Sequence, residues 1–98
     1  MGIESSNILN GFMELIADDP RIGPTHISLY LAILQAYRHQ ESMPVYVFSK
    51  GLMKQAKISA IATYRKCIRD LTEFGYLEYT PSFNPYTGSM INILNTQR

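Results

Sequence analysis

From Asn7 onward, apolar residues recur at helical spacing, at Ile8, Leu9, Phe12, Met13, Leu15 and Ile16, and the pattern stops before Asp18-Asp19-Pro20. This spacing predicts a first helix over 7–18, slightly weakened by Gly11. The loop from Asp18 to Pro24 carries two prolines and a glycine. Beyond it a second helix is expected over 25–40, starting at Thr25 or beside it, with Ile27, Leu31, Ile33, Leu34 and Tyr37 as its apolar positions. This helix is the expected pillar of the core. It runs out in the polar stretch Arg38-His39-Gln40-Glu41-Ser42, and Pro44 follows as a stop.

The period then changes. Val45-Tyr46-Val47-Phe48 is β-branched and aromatic, too short for a helix, and reads as a short strand. Ser49 is a candidate N-cap for a short helix over Lys50 to Ala56 with Leu52, Met53 and Ala56 inward, and Lys57-Ile58 interrupts the pattern. Ser59 offers a second N-cap, for a helix over Ala60 to Phe74 whose inner face is Tyr64, Cys67, Ile68 and Leu71. Gly75 suits its C-terminal cap. Tyr76 to Thr80 and Met90 to Leu94 alternate as strands do, with Leu77 and Tyr79 on one face of the first and Ile91 and Ile93 on one face of the second. They predict a β-hairpin with a long connection, Pro81-Ser82-Phe83-Asn84-Pro85-Tyr86-Thr87-Gly88-Ser89, expected to project from the body.

Composition narrows the class. At 98 residues with 46% hydrophobic and 17% charged residues, the chain has the size of one domain and enough apolar content for a core. A single cysteine, Cys67, excludes an intramolecular disulfide framework and fits a reducing, cytoplasmic setting. The two histidines, His26 and His39, stand in no metal-binding motif, so neither a metal nor another cofactor is expected. They are read as surface or helix-end residues. The longest greasy stretch, Leu29 to Leu34, is far short of a membrane span, and the N-terminus lacks a secretory signal. Met1-Gly2-Ile3-Glu4-Ser5-Ser6 matches a loose acylation pattern, but one acyl chain beside Glu4 is a weak anchor. Asp18-Asp19 lack a neighbouring base or nucleophile and are read as a solvated loop, so no catalysis is expected.

Net charge is only +1, which by itself argues against nucleic acid. Its distribution argues the opposite. Residues 1–48 sum to −3 and residues 73–98 to −1, whereas residues 49–72 hold Lys50, Lys54, Lys57, Arg65, Lys66 and Arg69 against Asp70 alone, a net of +5. Such clustering is the footprint of a phosphate-binding face. With the inner face of the 60–74 helix fixed, Ala62, Thr63, Arg65, Lys66 and Arg69 fall on the outward arc.

The element order is that of a winged helix-turn-helix, an α+β (mainly α) fold, here with an additional N-terminal helix and a C-terminal two-stranded β wing. The segment Ser49 to Tyr79, SKGLMKQAKISAIATYRKCIRDLTEFGYLEY, resembles the helix-turn-helix (49–74) and first wing strand of winged-helix transcription regulators. Its Leu71-Thr72-Glu73-Phe74-Gly75-Tyr76-Leu77 is similar to their transition into the wing (76–94). With the tip PSFNPYTGS, the whole resembles small winged-helix proteins of bacterial mobile elements of the Bacteroides type. The resemblance implies a non-catalytic DNA-binding protein, a transcriptional regulator or mobile-element accessory factor, whose partner is double-stranded DNA.

In that arrangement Ser59, Ala60, Ala62 and Thr63 lie near base edges, and Arg65, Lys66 and Arg69 reach guanines or flanking phosphates. Lys50, Lys54 and Lys57 contact the backbone, and Asn84, Tyr86, Thr87 and Ser89 offer neutral donors at a tip that has no Lys or Arg. Competing readings are ordinary solvated surface charge, a protein-interaction module on the same fold, and the DNA-binding part of a replication initiator. Tyr64 and Cys67 are read as core packing, and Tyr76 and Tyr79 as strand residues capping the core. The first helix either covers the core or pairs two copies into a homodimer through Phe12, Met13 and Ile16.

Overall fold

Helix α2 (Pro24–Gln40) is the pillar against which α1 (Ser5–Ile16), α3 (Ser49–Ala56), α4 (Ile61–Glu73) and β1 (Val45–Val47) pack in a computed structural model that describes residues 4–82, 84 and 86–94. The start of the acylation pattern (Met1-Gly2-Ile3) and two tip residues, Phe83 and Pro85, lie outside the described residues. Pro24 occupies the first turn of α2, where its missing N–H costs nothing, and Gly23 is the N-cap. The Gly23 N–H donates to His26 Nδ1 at 3.0 Å, so the His26 side chain closes the helix start, which falls at Pro24 beside Thr25 as expected.

The buried face of α2 holds His26, Leu29, Tyr30, Ala32, Ile33, Leu34 and Tyr37, broader than a simple amphipathic stripe because neighbours cover it on several sides. Leu31, one of the apolar positions of this helix, falls off that stripe and is 44% exposed. Helix α1 begins and ends two residues ahead of expectation. Its Phe12 is wholly buried, stacked on Tyr30 at 3.7 Å between ring centroids and meeting Tyr76 edge-on at 5.3 Å. Phe12 is therefore a core residue and is removed from the proposed dimer surface; Met13 stays exposed and Ile16 half-buried.

Strands β2 (Leu77–Thr80) and β3 (Ser89–Ile93) form the expected antiparallel hairpin, and the sheet has a third member. Strand β1 pairs antiparallel with the far side of β3, giving the order β1-β3-β2 with Val45 opposite Ile91 and Val47 opposite Ser89. The expected two-stranded hairpin is thus part of a three-stranded sheet, through a pairing far apart in sequence. Alternation puts Val45, Val47, Leu77, Ile91 and Ile93 in the core, and leaves Tyr46 exposed. The Gln40 side chain accepts from Tyr46 N–H (2.9 Å) and donates to its carbonyl (2.7 Å), satisfying the free edge of β1.

Neither expected serine cap operates. Phe48 is the N-cap of α3, with Ser49 already helical, and Ala60 is the N-cap of α4, one residue past Ser59. Burial of Leu52, Ala56, Tyr64 and Cys67 sets these boundaries, since a cap is worth only about 1 kcal/mol and several buried side chains outweigh it. Helix α3 ends on Lys57 in the left-handed region (φ 63°), with Ile58 N–H donating back to Met53 O at 2.9 Å. Residues 57–60 thereby turn the chain directly into α4. At the other end of α4, Gly75 (φ 89°) donates to Thr72 O and Tyr76 to Leu71 O, a Schellman closure requiring positive φ after the helix. Together the described residues form an α+β, mainly helical domain of four helices and one antiparallel sheet.

Candidate nucleic-acid interface

Helix α4 has two chemically distinct faces. Tyr64, Cys67, Ile68 and Leu71 are all buried, as the periodicity requires, and Ala62, Thr63, Arg65, Lys66 and Arg69 are all exposed. Burial pushes the Tyr64 hydroxyl up to about 12 and raises the Cys67 thiol, so both serve as packing groups in their neutral forms. Ser59 and Ala60, just before the helix, are exposed, as are Lys50, Lys54 and Lys57 on α3 and its end.

Two concave surfaces flank the outer arc. One, of about 500 Å³, lies between α4 and β2 and is bordered by Arg65, Arg69 and Tyr79. The other, of about 230 Å³, runs from Ile61 and Arg65 to Phe48, which follows β1, and to Asn84 and Gly88 in the hairpin connection. Arg65 borders both, so the fold brings it together with Asn84, nineteen positions away in sequence. Lys50, Lys54 and Lys57 border neither groove. The approach of hairpin and β1 is tight: a side chain at Gly88 (φ 74°) would place Cβ 2.7 Å from Val47 O.

The charges are not equivalent. Lys66 Nζ lies 2.6 Å from Asp70 Oδ2, one turn on, and His26 Nε2 lies 2.9 Å from the same oxygen. Because His26 Nδ1 accepts from Gly23, its proton sits on Nε2 and is donated to Asp70. Lys66 first, then His26, holds the Asp70 carboxyl below its ordinary range. His26 is thus a buried link between α2 and α4, correcting its reading as a surface or helix-end residue, whereas His39 is exposed and bonds Gln35. Arg65 and Arg69 make no ion pair among the described residues.

At the tip, Asn84, Tyr86 and Thr87 are exposed, Tyr86 almost fully. Part of their hydrogen-bonding capacity is used locally: Asn84 Oδ1 accepts from Tyr86 N–H, and Thr87 Oγ1 pairs with Ser82 Oγ. Ser89 is half-buried, its hydroxyl accepting from Tyr79 Oη and Ser82 N–H, so it works inside the hairpin.

Asp19 also departs from the solvated-loop reading. It pairs with Arg21 at 2.8 Å and accepts from Tyr76 Oη at 2.7 Å, while Arg21 lies 4.0 Å over the Phe74 ring. Arg21, then Tyr76, keeps its carboxyl well below the usual carboxylate range; burial, together with the Asp19 hydrogen bond, pushes the Tyr76 hydroxyl up to about 12. This is a clamp joining the α1–α2 loop to the α4–β2 junction.

Sequence reasoning missed Ile61 and Phe48, which are 44% and 52% exposed beside the basic arc. Helical phase puts Ile61 three residues ahead of Tyr64, on the buried stripe, but in the first turn that stripe overhangs the edge of the core. Among the described residues no cluster of His, Cys, Asp or Glu is arranged to hold a metal, and no helix is long and apolar enough to cross a membrane. No known protein family, curated protein or solved structure matches the chain.

Proposed function

We propose that this protein is a winged-helix DNA-binding protein that reads duplex DNA with α4 and acts as a regulator of transcription or an accessory factor of a mobile element. The observation that carries the reading is the outer arc of α4, where Arg65 and Arg69 stand exposed and unpaired among the described residues, next to the small residues Ala60, Ala62 and Thr63. Small side chains let a helix approach base edges closely, and long cations beside them reach guanine or phosphate. Lys50, Lys54 and Lys57 on the preceding helix add backbone contacts. Asn84, Tyr86 and Thr87 offer uncharged contacts from the hairpin, weaker than a basic wing would supply.

A salt titration on a random-sequence duplex tests the reading. Direct phosphate contact predicts that log affinity falls linearly with log salt, by about 0.9 per phosphate neutralised. Absent or salt-independent binding sinks it and leaves the protein-interaction module. That second reading has its own observation, a largely apolar groove of about 920 Å³ between α1 and α2, bordered by Leu9, Ile27 and the exposed Leu31.

A further inference from the structure

The first turn of α4 carries an unusual inventory. Ala60, Ile61 and Ala62 are consecutive, exposed and without any hydrogen-bonding side-chain group, and only the hydroxyls of Ser59 and Thr63 flank them. Of the three, Ile61 presents a large apolar surface to solvent, and Arg65 follows four residues later on the same side, both bordering the groove of about 230 Å³. Phe48 adds a second exposed apolar group to that groove. The apolar Ile61 beside the cationic Arg65 does not suit a purely acidic peptide segment, whose side chains would offer Ile61 nothing to bury against. It suits a polyanion that carries apolar groups at regular depth.

The major groove of DNA has one such protruding apolar group, the 5-methyl of a pyrimidine, set among the hydrogen-bond donors and acceptors of the base edges. Resting on the DNA-binding reading above, we infer that α4 recognises its target mainly through the thymine 5-methyl group, packed against Ile61 with Ala62 beside it, and that Arg65 anchors the adjoining guanine or phosphate. Hydrogen-bonded readout of adenine by Asn or Gln is missing from this turn, so the target is defined by where methyls stand.

The test uses the full chain and a duplex recovered by selection from an unmethylated random library, in which every 5-methyl belongs to thymine. Each thymine is replaced in turn by deoxyuracil, which keeps base pairing and removes only the methyl. Affinity is expected to fall about fourfold at one or two positions, the worth of one buried carbon. In Ile61→Ala the penalty at those positions is expected to shrink below twofold, with thermal unfolding nearly unchanged because Ile61 is half exposed, whereas Ile61→Val retains it. Unchanged affinity at every uracil position, or an undiminished penalty in Ile61→Ala, overturns the inference while leaving DNA binding intact. A gain on replacing cytosine by 5-methylcytosine, without a loss at uracil, overturns the assignment to thymine. Failure of the selection to enrich any duplex overturns the DNA-binding reading itself.

Discussion

Tyr30 is the largest fully buried side chain, stacked on Phe12 in the centre of the core, and its hydroxyl has no hydrogen-bond partner among the described residues. Burial accordingly raises its pKa, and the lost hydration is an uncompensated cost of about 1–3 kcal/mol. Tyr30→Phe removes the orphaned oxygen and keeps the stacked ring, so it is expected to stabilise the fold by about 1 kcal/mol, seen as a higher midpoint in urea unfolding. A lower midpoint would show that the hydroxyl is paired in solution. No sequence pattern reveals this: the position reads as apolar and helical, and only the packed core shows that the oxygen is stranded. Lys57 is similar, because its left-handed backbone is set by the α3–α4 turn and any residue there would read only as a break in periodicity.

Helix α4 is the element in which stability and proposed binding separate most cleanly. Arg65→Ala with Arg69→Ala, both exposed and outside any ion pair among the described residues, is expected to weaken DNA binding at least tenfold and to flatten the salt slope by about one unit per lost contact. Its melting temperature should stay within a degree or two of the parent. Lys66 is a poorer choice for that pair, since its charge is shared with Asp70. Leu71→Ala or Ile68→Ala should instead destabilise by about 2–5 kcal/mol in denaturant titrations, because each opens a cavity beneath the helix. Unaltered affinity in the double variant would place the interface elsewhere. The division of faces was legible in the spacing of Tyr64, Cys67, Ile68 and Leu71. The exposure of Ile61 and the pairing of Lys66 were not, because the first depends on where the core ends and the second on His26, forty-four positions distant from Asp70.

At the scale of the whole molecule, two carboxylates join parts that are remote in the chain. Asp19 clamps the α1–α2 loop to Tyr76, and Asp70 ties α4 to His26 on α2. Both carboxyls are held below the ordinary value of 3.8 in the folded state, so each contributes stability that is fully present above that value and is lost as pH falls toward and through the folded-state pKa. The melting temperature is therefore expected to drop progressively below about pH 4. Asp19→Asn should lower it at pH 7 and make the acid decline shallower; an equally steep decline would remove Asp19 from the account. By itself, the sequence determined the element types and their order, the inner stripe of α4 and the concentration of positive charge on residues 49–72, because period, turn chemistry and charge are local properties of a chain. Tertiary structure alone decided that β1 joins the far side of β3, that Phe12 belongs to the core, that Asp19 and His26 are clamps and not surface groups, and that Ile61 is left uncovered. Each of these depends on which distant residue supplies a partner or withholds one, and burial and pairing are settled only when the whole chain has packed.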